Sequence, residues 1–326
     1  MCTSITFRTK DHYFGRNLDL EYSYNEMVTI TPRNYAFKFR KMGEMKTHFA
    51  MIGMAYVVDD YPLYYDATNE KGLSIAGLNF PGNADYKPFV EQKDNVTPFE
   101  LIPWILGQCA TVSEAKTLLE RISILNENFS DELPLSPLHW IISDKVRSIT
   151  LESINEGIKV YDNPVGVLTN NPTFDYQLFN LNNYMQLTNG EPQNTFAVNN
   201  DLQLEQYSRG MGAMGLPGDF SSMSRFVRAA FVKMNSVSNV TENESVSQFL
   251  HILKSVEMPR GCVKVKNQLY AITIYSSCCN TDRGIYYYTT YNNGQIHAVD
   301  MRKENLQGST LIQYPLKKEQ TIEYQN

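Results

Sequence analysis

The chain opens Met1-Cys2-Thr3-Ser4-Ile5-Thr6-Phe7, and Phe14-Gly15-Arg16-Asn17-Leu18-Asp19-Leu20 follows after a short gap. From Thr3 to Phe7 polar and apolar residues alternate, with Ile5 and Phe7 on one face, as in a half-buried strand. Asp11-His12 reads as a turn, which makes Phe14 to Leu20 the hairpin partner of the first strand. The hairpin carries Arg16 and Asp19 back toward the chain start. Alternation separates them, because residues 16 and 18 share one face and 17 and 19 the other. Convergence of Arg16 and Asp19 on one site therefore requires a bulge or bend.

Cys2 gives this hairpin a chemical meaning. Its neighbours are small, so an aminopeptidase can trim Met1. Trimming leaves a free α-amine beside the thiol, and one residue then holds both base and nucleophile. An α-amine has a reference pKa of about 7.7–8.0 and a thiol one of about 8.5, so near neutral pH part of the amine can take the thiol proton. A guanidinium from Arg16 would favour the thiolate. A carboxylate from Asp19 would orient the amine. The bland alternative is a buried strand cysteine beside a solvated Arg-Asn-x-Asp edge.

The 326 residues allow one large domain or two modest ones. A net charge of −6 without a basic cluster argues against a nucleic-acid partner. No apolar run approaches the ~20 residues that span a bilayer. Residues 1–20 lack the charged-then-apolar order of an export signal, so a cytoplasmic protein without a membrane partner is expected. The five cysteines, Cys2, Cys109, Cys262, Cys278 and Cys279, are odd in number and scattered, which argues against a disulfide framework. Cys278 and Cys279 read as reduced packing residues at a strand end. No Cys/His spacing fits a metal site, so neither metal nor cofactor is expected.

Further along, strands are expected at 27–31, 37–40, 49–58, 64–67 and 73–80, forming a sheet-rich first eighty residues. Thr97-Pro98-Phe99-Glu100 and Thr111-Val112-Ser113-Glu114 carry capping-box patterns, which predict helices over 98–108 and 112–123. Residues 124–137 read as a loop. Strands return at 138–142, 148–154, 158–161 and 165–168, and 174–185 looks helical. Residues 186–221 show no period and form a long loop of the functional sort. Ser221 or Ser222 caps a helix over 223–235, whose stripe is Met223, Phe226, Val227, Ala230, Phe231 and Met234. Arg225 and Arg228 fall on the other side, facing either solvent or a cleft. A helix opened by Thr241 to Glu244 carries Val246, Phe249, Leu250 and Leu253, and strands follow at 269–275, 284–291 and 295–301. Residues 302–326 are expected to trail over the surface. The order suits one layered domain over 1–326, with helices outside two stacked sheets.

With these pieces placed, the chain resembles the choloylglycine hydrolase family, the bile salt hydrolases and penicillin V acylases among the N-terminal nucleophile hydrolases. The resemblance rests on an ordered set. Cys2-Thr3 and Gly15-Arg16-Asn17-Leu18-Asp19 come first, then Asn69-Glu70-Lys71-Gly72-Leu73 and Ala76-Gly77-Leu78-Asn79-Phe80. Leu168-Thr169-Asn170-Asn171-Pro172-Thr173-Phe174, Leu216-Pro217-Gly218-Asp219, Ser224-Arg225-Phe226 and Gly284-Ile285-Tyr286-Tyr287-Tyr288 complete it.

The resemblance implies an α+β fold, a four-layer αββα sandwich forming a single catalytic domain. It implies that Cys2 is the nucleophile, that its α-amine is the base and that Asp19 holds that amine. Arg16 and Arg225 would lie beside the thiol. The Asn79 backbone N–H and the Asn170 side-chain amide would form the oxyanion hole. Leu18, Val58, Tyr65, Phe129 and Leu133 are the implied substrate-pocket residues, each also readable as plain core. The implied substrate is a small molecule, a bile salt conjugated to glycine or taurine, with no cofactor. Asn79 favours this over penicillin V, since penicillin V acylases often carry Tyr there. Ser208-Arg209-Gly210 resembles a variant associated with glycine conjugates. A homotetramer is implied as well. The rivals are a penicillin V acylase or related N-acyl amide hydrolase, and a silent bile-acid-binding protein on the same fold.

Overall fold

The structure, a computed structural model, describes residues 1–196, 202 and 204–326. The first strands are β1 (Cys2–Arg8), β2 (His12–Leu20), β3 (Met27–Thr31), β4 (Phe37–Phe39), β5 (Gly43–Met45), β6 (Met51–Val58), β7 (Tyr61–Asn69), β8 (Ser74–Asn79) and β9 (Asp94–Val96). Helices α1 (Leu101–Gln108) and α2 (Val112–Leu119) follow. Then come β10 (Ile122–Ile124), β11 (Leu138–Ser143), β12 (Ser148–Ile154), β13 (Gly157–Asp162), β14 (Val167–Leu168) and the helix α3 (Phe174–Asn180). Helices α4 (Ser222–Asn235) and α5 (Glu242–Lys254) precede β15 (Ile272–Asn280), β16 (Ile285–Thr290), β17 (Asn293–Asp300) and β18 (Ile312–Pro315).

The larger strands form two antiparallel sheets. One has six strands in the order β14-β1-β2-β15-β16-β17, and the other has eight in the order β13-β12-β11-β8-β7-β6-β3-β18. A single core joins them. Ile5, Phe14, Leu18 and Tyr275 of the first sheet pack with Val28, Ile52, Met54, Leu78 and Ile141 of the second, and Phe226, Phe249 and Leu253 of α4 and α5 close the outer side. A second core lies on the far face of the eight-stranded sheet, where Leu101, Ile105 and Leu118 of α1 and α2 cover Ile75, Ile142 and Leu151. The layers are thus αββα.

Local sequence explains most elements. Ser221 caps α4 by accepting the Ser224 N–H, and Thr241 caps α5 by accepting the Glu244 N–H. An isolated helix of 13 residues is marginal, so burial holds α5 in place. Its Val246, Phe249, Leu250 and Leu253 are buried, each contributing on the order of 1.5–3 kcal/mol.

The structure corrects the sequence expectations at several points. β1 and β2 do not share a sheet with the next strands; they join β14 to β17, whose residues lie far along the chain. The helix expected from residue 98 begins at Leu101, because the first turn is tight: the Glu100 N–H bonds the Thr97 carbonyl, while the Glu100 carboxylate accepts the Thr97 N–H. The helix expected over 112–123 ends at Leu119, and Ile122–Ile124 form β10, which takes the start of the expected loop and pairs in parallel with β9. Helix α3 ends at Asn180, and a 3-10 turn continues to Tyr184. The strand expected at 269–275 is β15 and runs on to Asn280, so that Cys278 and Cys279 sit near its end as read, both fully covered. The C-terminal stretch does not merely trail, since β18 pairs with β3.

Gly15 sets how closely β2 meets β15. A Cβ built there would lie 2.0 Å from the Ser277 carbonyl oxygen. The next residue is Arg16, so the same close contact fixes where the guanidinium starts.

Candidate active site

The pairing of β1 with β2 places Cys2 opposite Leu18 and Ser4 opposite Arg16. Beyond Cys2, Asp19 and Met1 exchange both backbone bonds: the Asp19 N–H donates to the Met1 carbonyl at 2.9 Å, and the α-amine donates to the Asp19 carbonyl at 2.6 Å. The hairpin therefore brings the Asp19 carboxylate to the start of the chain.

The expected irregularity exists, but on the neighbouring strand. β15 sets Thr273 opposite Asp19 and Tyr275 opposite Leu18, leaving Ile274 as the extra residue of a bulge. Arg16 and Asp19 keep to opposite sides of β2. Arg16 reaches the other sheet, where its Nη1 donates to Tyr65 and Gly77 carbonyls at 2.9 and 2.5 Å. Asp19 Oδ1 accepts the Thr273 hydroxyl at 2.6 Å, and its Oδ2 is buried with no partner among the described residues. The two residues bracket the start of β1 from either face.

The third contributor is α4. Arg225 is fully buried, although the sequence reading put it opposite the apolar stripe. The buried face is centred on Arg225, Phe226, Ala229 and Ala230, while Met234 of the expected stripe is exposed. Burial is tolerated because every guanidinium nitrogen is bonded. Its Nη1 donates to the Cys2 carbonyl and to Thr3 Oγ1, both at 2.6 Å, its Nη2 to Asn170 Oδ1 at 2.7 Å, and its Nε to the Phe220 carbonyl at 3.0 Å.

Asn170 follows β14 and ties the group together. Its Oδ1 accepts the Cys2 N–H at 2.8 Å, and its Nδ2 donates to the Asn79 carbonyl at 2.6 Å. Ser222, at the start of α4, accepts the Asn170 N–H at 2.8 Å and fixes the loop. Cys2, Arg16, Asp19, Asn79, Asn170 and Arg225 thus gather from five separated stretches of chain.

Electrostatics follow from burial. Burial pushes the Asp19 carboxyl above the usual carboxylate range, opposed by Arg225, the nearby α-amine, Thr273 and Arg16. Burial disfavours the charged form of Arg225, opposed by Asp19 and Cys2. For Arg16 burial acts the same way, yet Cys2, Tyr275 and Asp66 outweigh it and the guanidinium is held more firmly protonated than usual. Two buried cations therefore lie near Cys2, with two buried carboxyls nearby.

The expected pocket residues are less concentrated. Leu18 and Tyr65 join the core that contains Cys2. Val58 pairs with Tyr61 at the β6–β7 turn. Phe129 belongs to an aromatic group with Tyr61 and Phe99, at ring distances of 6.0 and 5.1 Å. Leu133 is half-buried in the same loop, held by a bond from its N–H to Ser130 Oγ. Two surface concavities of about 430 and 440 Å³ lie elsewhere and include neither Cys2 nor these five residues.

Sequence reasoning missed Thr3, Ser222, Thr273 and Asp66 as members of this neighbourhood. Asp66 alone left a signal, a carboxylate within the otherwise apolar stretch 64–67.

The family model for linear amide C–N hydrolases, choloylglycine hydrolase family, matches residues 2–314. A protein of Lactiplantibacillus plantarum named bile salt hydrolase/transferase is 60% identical over 319 residues, covering 98% of both chains. One of the same name from Clostridium perfringens is 41% identical and covers 100% of both. The crystal structure of a variant of conjugated bile acid hydrolase from Clostridium perfringens superposes with a TM-score of 0.91 at 38% identity, over 100% of each chain. A buried Cys2 ringed by Asn170, Asp19 and two arginines and a match over nearly the full length agree: the chain belongs to the choloylglycine hydrolase family of linear amide C–N hydrolases.

Proposed function

We propose that this protein is a bile salt hydrolase that cleaves the amide between a bile acid and glycine or taurine. The observation that carries the reading is the environment of the Cys2 nitrogen. It donates to Asn170 Oδ1, and the buried Asp19 Oδ2, without a partner among the described residues, sits on the residue whose backbone clasps Met1. Removal of Met1 would turn this amide into an amine with further N–H groups, for which Asp19 Oδ2 is the acceptor at hand.

The chemistry then follows. The α-amine of Cys2 takes the thiol proton, and the thiolate attacks the amide carbon. The developing oxyanion is held by an Asn170 side-chain N–H and the Asn79 backbone N–H, each such donor contributing roughly 3–4 kcal/mol. The tetrahedral intermediate collapses to an acyl thioester. The leaving glycine or taurine departs with the proton from the α-ammonium, and water, deprotonated by the same amine, releases the free bile acid. Arg225 holds the Cys2 backbone and Arg16 faces the thiol. Two relatives named hydrolase/transferase support a thioester that a second amine can intercept in place of water. Leu18, Val58, Tyr65, Phe129 and Leu133 would receive the steroid. In this reading residues 1–326 act as one catalytic domain, in a cytoplasmic homotetramer, without a cofactor.

The test is release of amine from glycocholate, taurocholate and penicillin V in parallel, with Cys2→Ala as the blank and intact mass reporting Met1. Bile-salt cleavage that disappears in the blank is the expected result, with glycine conjugates ahead if Ser208-Arg209-Gly210 selects them. Dominant penicillin V cleavage would move the substrate to the acylase side. Retained Met1 in an active preparation would remove the α-amine mechanism.

A further inference from the structure

Arg16 enters the opposite sheet at a defect. On β6, Met54 opposes Asp66 and Ala55 opposes Tyr64, so Tyr65 is the extra residue of a bulge in β7. On the other side, the β7–β8 ladder ends with Asp66 opposite Ala76. Tyr65 and Gly77 are the next residues on each strand, and their carbonyls are the two acceptors of Arg16 Nη1. The guanidinium bridges the two strands where their ladder stops. Its Nε and Nη2 are buried without partners among the described residues, and Arg16 shares the face of the β1–β2 hairpin with Leu18, the residue opposite Cys2.

Asp66 stands at the edge of this gap and is fully covered. Its Oδ1 accepts the Tyr286 hydroxyl at 2.7 Å and its Oδ2 the Tyr275 hydroxyl at 2.8 Å. Burial pushes its carboxyl up, and Arg16, then the two tyrosines, act to keep it ionised. A buried carboxylate is costly unless such partners offset the cost. Asp66 forms no ion pair within 4 Å of Arg16; it is the residue after Tyr65, whose carbonyl accepts from Arg16, and holds this stretch of β7 through its two tyrosine bonds.

We propose that Asp66, held by Tyr275 and Tyr286, is a positioning residue that keeps the Arg16 guanidinium seated between β7 and β8 and so directed at the Cys2 thiol. This deepens the functional reading above and rests on it for the role of Cys2. The groups that face Asp66 are Arg16 from β2, Tyr275 and Cys279 from β15, and Tyr286 from β16.

The experiment is alkylation of the full protein with iodoacetamide between pH 5 and 9, read by mass at the Cys2 peptide. The variants are Asp66→Asn, Arg16→Leu and their double. Expected is an approximately tenfold slower Cys2 reaction at pH 7 in Asp66→Asn, a similar loss in Arg16→Leu, and no further loss in the double. An Asp66→Asn loss of undiminished size in the Arg16→Leu background would mean that Asp66 serves packing only, and would overturn the proposal. So would an unchanged rate, or a faster one, which would mark a through-space charge acting on an immobile Arg16. Tyr286→Phe covers the case in which Asp66→Asn does not fold. Losing one hydroxyl donor raises the Asp66 pKa, so the acid limb of the alkylation profile should move to higher pH; an unmoved limb overturns the proposal. Alkylation needs no bile salt. Coupling without bile-salt turnover would leave this proposal standing and remove the substrate reading, and turnover without coupling would do the reverse. A parent Cys2 inert throughout would remove both.

Discussion

Asn170 spends both ends of its side chain on the site, since Oδ1 accepts from Cys2 and Arg225 while Nδ2 points at the backbone of Asn79. Asn170→Ala should therefore lower kcat by roughly 10²–10³-fold, the loss typical of one oxyanion donor, with a smaller change in KM. Steady-state kinetics on Met1-free protein with unaltered circular dichroism would check it; a near-normal kcat would take Asn170 out of the oxyanion hole. Residues differed in how legible they were. Cys2, Arg16 and Asp19 could be read from residue type and the hairpin, because β1 and β2 are neighbours in sequence. Asn79 and Asn170 were accessible only through the ordered resemblance, since nothing local marks them, while the local reading of Arg225 left solvent and a cleft both open. Thr273 was not legible at all: its bond to Asp19 joins residues 254 apart. Arg225 shows the limit of periodicity. A stripe rule assigns a guanidinium to solvent, yet four acceptors supplied by Cys2, Thr3, Phe220 and Asn170 make the buried position favourable.

Among the elements, β2 bears most of the positioning, and its contact with β15 depends on the missing side chain of Gly15. In Gly15→Ala the new methyl would lie 2.0 Å from the Ser277 carbonyl oxygen and 2.9 Å from the Cys278 Cα, so backbone must move. The expected outcome is a loss of about 3 kcal/mol or more of stability, together with lost turnover because Arg16 shifts with its strand. Urea unfolding followed by kinetics tests both; a variant within 0.5 kcal/mol of the parent would show that β15 yields freely. Elements with local signals were read well. The Thr111 and Thr241 boxes mark real caps, with Thr111 and Thr241 accepting the Glu114 and Glu244 N–H groups. The failures have no local signal. β9, β10 and β18 span only 3, 3 and 4 residues, too short for a period, and each exists because a distant partner strand is available.

For the whole molecule, strand and helix order indicated two sheets with helices outside, but which strand joins which sheet depends on pairings such as β2 with β15 that span most of the chain. That same long-range closure buries His12 at the start of β2. Its backbone N–H donates to Asp282, its Nε2 lies 3.3 Å from Ser143 Oγ, and its Nδ1 has no partner among the described residues. Burial lowers its pKa from 6.5 to about 4, although Asp282 and Asp144 pull it upward and Arg8 and Lys233 reinforce the lowering. Between those two values the unfolded chain binds a proton that the folded protein refuses. Stability therefore rises with pH across this window and is lost as pH falls from 6.5 to 4, by about 3 kcal/mol for this group. Asp19 and Asp66 act with the opposite sign. Their carboxyls are pushed up by burial, so folding is favoured by their protonation and gains as pH falls through their folded values. His12→Gln should remove the descending contribution and leave the ascending one. Denaturant midpoints at pH 4.5 and 7 would then lie closer together in the variant than in the parent, or reverse. Parallel losses in the two proteins would mean that His12 is not the group whose protonation opens the fold, and would place acid sensitivity with the carboxylates of the surface ion pairs.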